Sequence, residues 1–190
     1  MKEPKIRIFV THTPNRASQK IELPVFEHVL AGADFQEGET TLVKDNTGDH
    51  ISGRNPSYCE LTTQYWAWKN TSYDYYGFCH YRRYFSFNDK KLEESPWGTA
   101  EYPYISARAV KELQTDEATI RNKVTQYDFL IAKGIPVRQL GAGSVREHYE
   151  NAPELQVKDF DIMMEAVRQK YPEIYASAVE YADGPLSYPC

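Results

Sequence analysis

His80-Tyr81-Arg82-Arg83-Tyr84-Phe85 sets two adjacent guanidinium groups between tyrosines, directly behind the apolar run Tyr75 to Cys79. A guanidinium meets a phosphate through two parallel, charge-assisted hydrogen bonds. Tyr81 and Tyr84 bring rings for stacking on a base or sugar and hydroxyls for bonding it. A nucleoside diphosphate or another phosphate ligand is the leading reading of this spacing. The plainer one gives either arginine to an internal ion pair with a helix acid.

A second group lies upstream. The loop from Asp45 to Asn55 (DNTGDHISGRN) holds Asp45, Asn46, Gly48 and Asp49. Its carboxylates can hold a ribose or sugar hydroxyl or ligate a divalent cation; the same residues also make ordinary turns. Because the loop runs into a helix start, its amides can form an anion site as well. His12, where an apolar run ends, can touch a ligand there. Asp159-Phe160-Asp161 is the one Asp-x-Asp, but it falls in a helical stretch where neighbours two apart point different ways. The strand-end position carries His-Tyr-Arg-Arg instead, so a cationic pair can neutralise the charge a metal neutralises elsewhere. No GxGxxG, Walker A, HExxH or GxSxG motif is present. Gly141-Ala142-Gly143-Ser144 can cradle an anion or simply turn. Cys59 and Cys79 read as small buried hydrophobes.

The elements that must position these groups alternate. Ile6 to Thr11 reads as a first, buried strand ending in the turn-prone HTPNR, and Thr40 to Lys44 as a short strand. Residues 24–40 carry no clear pattern. Asn55 suits an N-cap, Pro56 the first helical position, and Ser57 with Glu60 a capping box one register later. The helix is expected to run to Lys69 or Asn70 with Tyr58, Leu61, Tyr65 and Trp68 on its buried face, and Glu60, Thr63 and Gln64 as a polar stripe. Tyr75 to Cys79 reads as a strand, Ala107 to Gln126 as helical, and Asp128 to Ala132 as a strand. Val157, Phe160, Met164 and Val167 have helical spacing, and a last helix reaches Ala182. Alternating strands and helices predict an α/β fold in a single domain.

Composition bounds the class. The 190 residues suffice for one domain with a real core. Twenty-two Lys and Arg against 27 Asp and Glu give a net charge of −5, which argues against nucleic acid as partner. No apolar run approaches the ~20 residues of a membrane helix, the N-terminus lacks the pattern of a signal peptide, and Cys59, Cys79 and Cys190 show no C-x-x-C spacing. A cytoplasmic protein is expected. Twelve of the 26 aromatic residues crowd between Ser57 and Phe87, with only Glu60 and Asp74 as acids, so an acidic chain carries a basic, aromatic centre.

The order D-N-T-G-D-H-I-S-x-R-N, then Y-C-E-L-T-x-Q-Y-W-A-W-K-N, then D-Y-Y-G-F-C-H-Y-R-R-Y-F resembles the DUF4422 family. These are bacterial proteins of capsule, O-antigen and exopolysaccharide loci, regarded as glycosyltransferases related to the GT-A fold. The likeness runs from the IRIFVTH strand to the Tyr188 region. Asp45, Gly48, Asp49, Ile51, Ser52 and Asn55 match the family's loop. Tyr58, Glu60, Leu61, Tyr65, Trp66, Trp68, Lys69 and Asn70 match its helix, and Gly77 with His80 to Phe85 match its signature. Two departures stand out: Asn151-Ala152-Pro153 replaces a histidine of many members, and members continue past Tyr188, so the chain reads as one shortened at its C-terminus.

The resemblance implies a GT-A-like (Rossmann-like) mixed sheet flanked by helices. It implies a transferase, of hexosyltransferase type, moving sugar from a nucleotide-sugar donor to a glycan or lipid-linked glycan acceptor, at the inner face of the membrane and without spanning it. Chemistry then assigns roles. Arg82 and Arg83 stabilise the leaving diphosphate, His80 donates a hydrogen bond to it, and Glu60 activates the acceptor hydroxyl, with Glu147 and Glu150 equally placed by sequence. Donor contacts fall to His12, Asp45, Asn46, Gly48, Asp49, Asn55, Tyr65, Trp68, Lys69, Tyr81 and Tyr84. Mg²⁺ or Mn²⁺ stays open as a cofactor, without a strand-end Asp-x-Asp to hold it. The competing reading is a noncatalytic nucleotide- or glycan-binding module.

Overall fold

The computed structural model describes residues 3–90, 92–95 and 98–188. They form two compact units, one of residues 3–90 with 102–130 and one of residues 92–95, 98–101 and 131–188.

The first unit contains strands β1 (Ile6–His12), β2 (Phe26–Leu30) and β3 (Val43–Lys44), helices α1 (Asn55–Tyr58) and α2 (Leu61–Asn70), strand β4 (Tyr75–His80), and helices α3 (Ala107–Leu113) and α4 (Glu117–Val124). The strands make one sheet in the order β3-β2-β1-β4, every pair parallel. β1 is central, and its alternation feeds two cores. Ile8 and Val10 join Ile21, Val25, Phe26 and Ile120 of α4 on one face. Phe9 points to the other, where it meets Val29 and the Trp66 and Ala67 of α2. Helices therefore cover both faces, the arrangement that keeps parallel strands buried and apolar. With all strands parallel, the loops after β1, β2, β3 and β4 gather at one edge, where α/β sheets hold their ligands.

Several elements depart from the sequence reading. The expected long helix is broken at Cys59, whose φ of 46° and ψ of −124° leave helical space. Asn55 is not the N-cap: it is the first residue of α1, and its Nδ2 donates to the Cys59 carbonyl at 2.9 Å and to Thr62 Oγ1 at 3.2 Å, bracing the break. The Ser57–Glu60 capping box does not form, since Glu60 precedes α2 with no side-chain cap bond. The face of α2 is turned over. Thr62, Thr63, Trp66 and Ala67 are buried, while Leu61 and Trp68 stand 51% and 66% exposed. Trp66 and Phe9 meet edge to face at 6.3 Å, and that contact outweighs the apolar stripe the sequence suggested. Cys59 is exposed, against expectation; Cys79 is partly buried against the β1 core, and burial pushes its thiol up to about 12. The single helix expected over 107–126 is two, separated by Gln114 in left-handed conformation, with Asp116 capping the Thr119 amide at 2.9 Å. Asp128 to Ala132 forms no strand.

In the second unit β5 (Ile135–Pro136) pairs antiparallel with β6 (Leu186–Ser187). Helices α5 (Val145–Asn151), α6 (Val157–Lys170) and α7 (Tyr175–Asp183) enclose Phe160, Met164 and Ala182. Asp159 and Asp161 lie on α6, and Asp161 bonds Arg146 at 3.1 Å, a surface pair. The amide of Gly143 is taken by Glu147 Oε2 at 2.8 Å, so that turn binds its own side chain. No helix among the described residues is long and apolar enough to cross a membrane.

Candidate active site at the strand ends

Where β1 and β4 end together, Tyr81 donates its amide to the Thr11 carbonyl at 3.0 Å and Arg83 closes a turn onto the His80 carbonyl at 2.8 Å. The Tyr81 ring is buried, stacked on His12 at 5.6 Å and 4.2 Å from the His80 ring. Two guanidiniums use it as a shelf: Arg82 at 5.3 Å from its centre and Arg16, from the β1–β2 loop, at 5.7 Å. A cation over a ring face is held by the ring's quadrupole while its N–H groups stay available. Tyr81 thus carries the cations rather than stacking a base.

His80 is held neutral. The Arg82 amide donates to its Nδ1 at 3.2 Å, which leaves the ring proton on Nε2. Burial lowers its pKa below the ordinary histidine value. Arg82, Arg83 and Arg16 push the same way, and the Glu60 carboxylate pulls against them. The Glu60 carboxylate and the Arg82, Arg83 and Arg16 guanidiniums thus all act electrostatically on His80, whose Nε2–H can donate a hydrogen bond.

His12 is not exposed to a ligand; only 1% of its surface is accessible. His28 Nε2 lies 3.1 Å from the Ile21 carbonyl, which can only accept, so His28 must donate there and accept at Nδ1. His12 Nε2, 2.9 Å away, then donates to His28, and His12 Nδ1 accepts the hydroxyl proton of Ser18 at 2.7 Å. Burial, then His28, Lys20 and His80, lower the His12 pKa to about 4, in keeping with this all-neutral chain. Its effect is to pin the β1–β2 loop that carries Arg16.

The Asp45 carboxylate is also turned inward. Fully buried, it accepts from the Gly32 and Ala33 amides at 2.9 Å each and from Ser52 Oγ at 2.6 Å. It fastens the loop to the end of β2 and leaves no oxygen facing out. Gly32 has φ 68°, and a Cβ there would fall 2.6 Å from the Asn55 side chain, so Gly32 and Asn55 shape that junction together. Beside them Asn46 donates to the exposed Asp34 carboxylate at 3.0 Å. Asp34 was missed in the sequence because residues 24–40 show no pattern; the signal was an acid just past a strand end, the place of the ribose ligand in dinucleotide folds.

The remaining residues part from this cluster. Asn70, at the end of α2, accepts the Asp49 amide at 3.0 Å and donates to its carbonyl at 2.8 Å. A Cβ on Gly48 would sit 1.9 Å from the same Asn70 oxygen. Asp49 accepts the Tyr65 hydroxyl at 3.0 Å, a bond that raises the tyrosine's pKa. Lys69 lies 3.6 Å over the Trp68 ring. Gly48, Asp49, Tyr65, Trp68 and Lys69 thus form a patch along the flank of α2. Tyr84 joins the core, its ring edge-on to Phe26 at 5.6 Å. No group of three His, Cys, Asp or Glu suited to a metal occurs among the described residues.

The parallel sheet covered by helices on both faces is that of a glycosyltransferase-like fold. A solved apo structure of WbbM, a bifunctional glycosyltransferase, superposes with a TM-score of 0.90 at 32% sequence identity, over 97% of this chain and 32% of that one. The present chain therefore spans about a third of that protein. Residues 6–187 match DUF4422, described as a domain of unknown function, and the chain belongs to that family. No curated protein matches it.

Proposed function

We propose that this domain transfers a sugar from a nucleotide-sugar donor to a surface polysaccharide acceptor of the capsule, O-antigen or exopolysaccharide kind. The observation that carries the reading is the convergence of Arg16, Arg82, Arg83 and a neutral His80 at the strand ends of a glycosyltransferase fold. The guanidiniums bind the donor's diphosphate, and His80 Nε2–H donates to one of its oxygens. Asp34, oriented by Asn46, accepts the ribose hydroxyls. As the acceptor oxygen bonds to the anomeric carbon, the bond from that carbon to the diphosphate breaks. The acceptor proton passes to Glu60, and the charge gathering on the diphosphate is met by cations already in place. Arg16 and Asp34 join the site that sequence reasoning centred on Arg82 and Arg83. Asp45 and His12 act behind it as supports.

Calorimetric titration with UDP-, GDP- and CMP-sugars tests this, with turnover followed by release of the free nucleotide. Binding of one donor class is expected, weakened about tenfold or more by Arg82→Ala, since a hydrogen bond to a charged group contributes about 1.5–3 kcal/mol. Donor binding without nucleotide release would favour the noncatalytic module. Failure of every donor to bind would end the proposal.

A further inference from the structure

Arg16 and Asp34 come from different loops, after β1 and after β2, and one residue ties the two loops together. Asn15 has φ 57°, the left-handed conformation in which asparagine is enriched. Its side-chain amide bonds the chain beyond β2 twice. Nδ2 donates to the Phe35 carbonyl at 3.1 Å, and Oδ1 accepts the Glu37 amide at 2.9 Å. The main-chain amide of Asn15 donates to Gln36 Oε1 at 2.9 Å. Gln36 Nε2 donates in turn to the Glu37 carbonyl at 2.6 Å, which orients that side chain to receive it.

The clamp sits one residue from a cation and one residue from an acid. Arg16 follows Asn15, and beyond it the loop is held again where Ser18 bonds His12. Its guanidinium lies 5.7 Å from the centre of the Tyr81 ring. Asp34 precedes Phe35; its amide donates to Ser52 Oγ at 3.3 Å, and its carboxylate accepts from Asn46. Each group is thus steadied by contacts of its own. What the exposed Asn15 adds is the separation between them.

We propose that Asn15 is a positioning residue: it sets the span between Arg16 and Asp34, and so favours a ligand that reaches both, a nucleoside diphosphate, over one that reaches a single end. The inference rests on the diphosphate and ribose roles given above to Arg16 and Asp34. When two contacts are held at the right separation, the second forms within a molecule already bound, and that gain is lost once the separation drifts. Inorganic pyrophosphate reaches the cations alone and draws nothing from the span.

Asn15→Gly tests this, because it removes both side-chain bonds while glycine keeps the left-handed backbone without strain. UDP, GDP and inorganic pyrophosphate are titrated calorimetrically. Wild type should bind UDP or GDP, and Asn15→Gly should weaken that binding about tenfold or more, with pyrophosphate changed less than about twofold. Because Asn15 acts through the placement of Arg16, the same substitution added to Arg16→Ala should cost little further. Hydrogen exchange without ligand reads the clamp itself. The Glu37 amide should be protected in wild type and released in Asn15→Gly, while Phe9 and Val10 stay protected and show the fold intact. Wild type binding none of the three ligands would remove the diphosphate reading and this inference with it. The inference alone is overturned if wild type binds pyrophosphate but neither nucleotide, or if its Glu37 amide is unprotected. It is equally overturned if Asn15→Gly binds the nucleotide as tightly as wild type, loses pyrophosphate to the same degree, or costs as much again on Arg16→Ala.

Discussion

Replacing Asp45 separates a structural anchor from a ligand contact. Its carboxylate takes three hydrogen bonds, from Gly32, Ala33 and Ser52, and has no exposed surface. Asp45→Ala leaves two buried amides and a hydroxyl facing a small cavity. Removing one partner of a buried charged cluster costs about 3–5 kcal/mol, and partial rescue by water keeps the loss inside that range. Asp45→Asn keeps one accepting oxygen but turns an NH₂ toward a donor, for a loss of about 2 kcal/mol. In a chain of this size 1 kcal/mol moves the melting midpoint by about 2–4 °C, so the alanine variant should melt roughly 6–20 °C lower. Urea unfolding followed by tryptophan fluorescence, with thermal melts alongside, measures both. An alanine variant within about 1 kcal/mol of the wild type would refute the reasoning. So would an asparagine variant of full stability that no longer bound nucleotide, because Asp45 would then be touching the ligand.

Two further outcomes follow from the structure. Trp66→Ala should cost about 3–5 kcal/mol, because it empties the contact with Phe9, whereas Trp68→Ala should stay within about 0.5 kcal/mol; equal losses would mean the helix face is assigned backwards. His12 titrates near 4 in the folded chain against 6.5 when unfolded, so the unfolded chain holds more protons between those values. Its contribution to stability is therefore complete above 6.5 and drains away as pH falls toward 4. Stability measured at about pH 7 and about pH 5 should drop less for His12→Gln than for the wild type, and an equal drop would contradict the buried neutral chain.

The strands β1 and β4 were legible because a buried parallel strand is a short apolar run bounded by turn residues, and IRIFVTH and YYGFCH both are. β2 was not, although it is equally interior. Its Glu27 pairs with Arg7 near the strand's start and its His28 is hidden by a bond to His12, so polar letters stood where apolar ones were sought. The helix was legible in extent and misread in orientation. Thr62 and Thr63 are wholly buried, Thr62 returning its hydroxyl to the Cys59 carbonyl at 3.1 Å, which no hydrophobic pattern announces. Asp128 to Ala132 has strand composition but pairs with no strand among the described residues, and a strand exists only as one member of a ladder. At the strand ends, residue types pointed to His80, Arg82 and Arg83, which the structure sets side by side at the end of β4. They could not separate residues that face a ligand from Asp45 and His12, whose polar atoms are consumed by the protein itself.

The proton order of the buried chain has a consequence at its outer end. Ser18 has one hydroxyl proton, and His12 receives it, so whatever approaches Ser18 meets lone pairs alone. A sugar hydroxyl or an ammonium can dock against such a surface; a phosphoryl oxygen is turned away. On the proposed reading, the one loop between β1 and β2 offers a cation to anions at Arg16 and lone pairs to hydrogen-bond donors at Ser18.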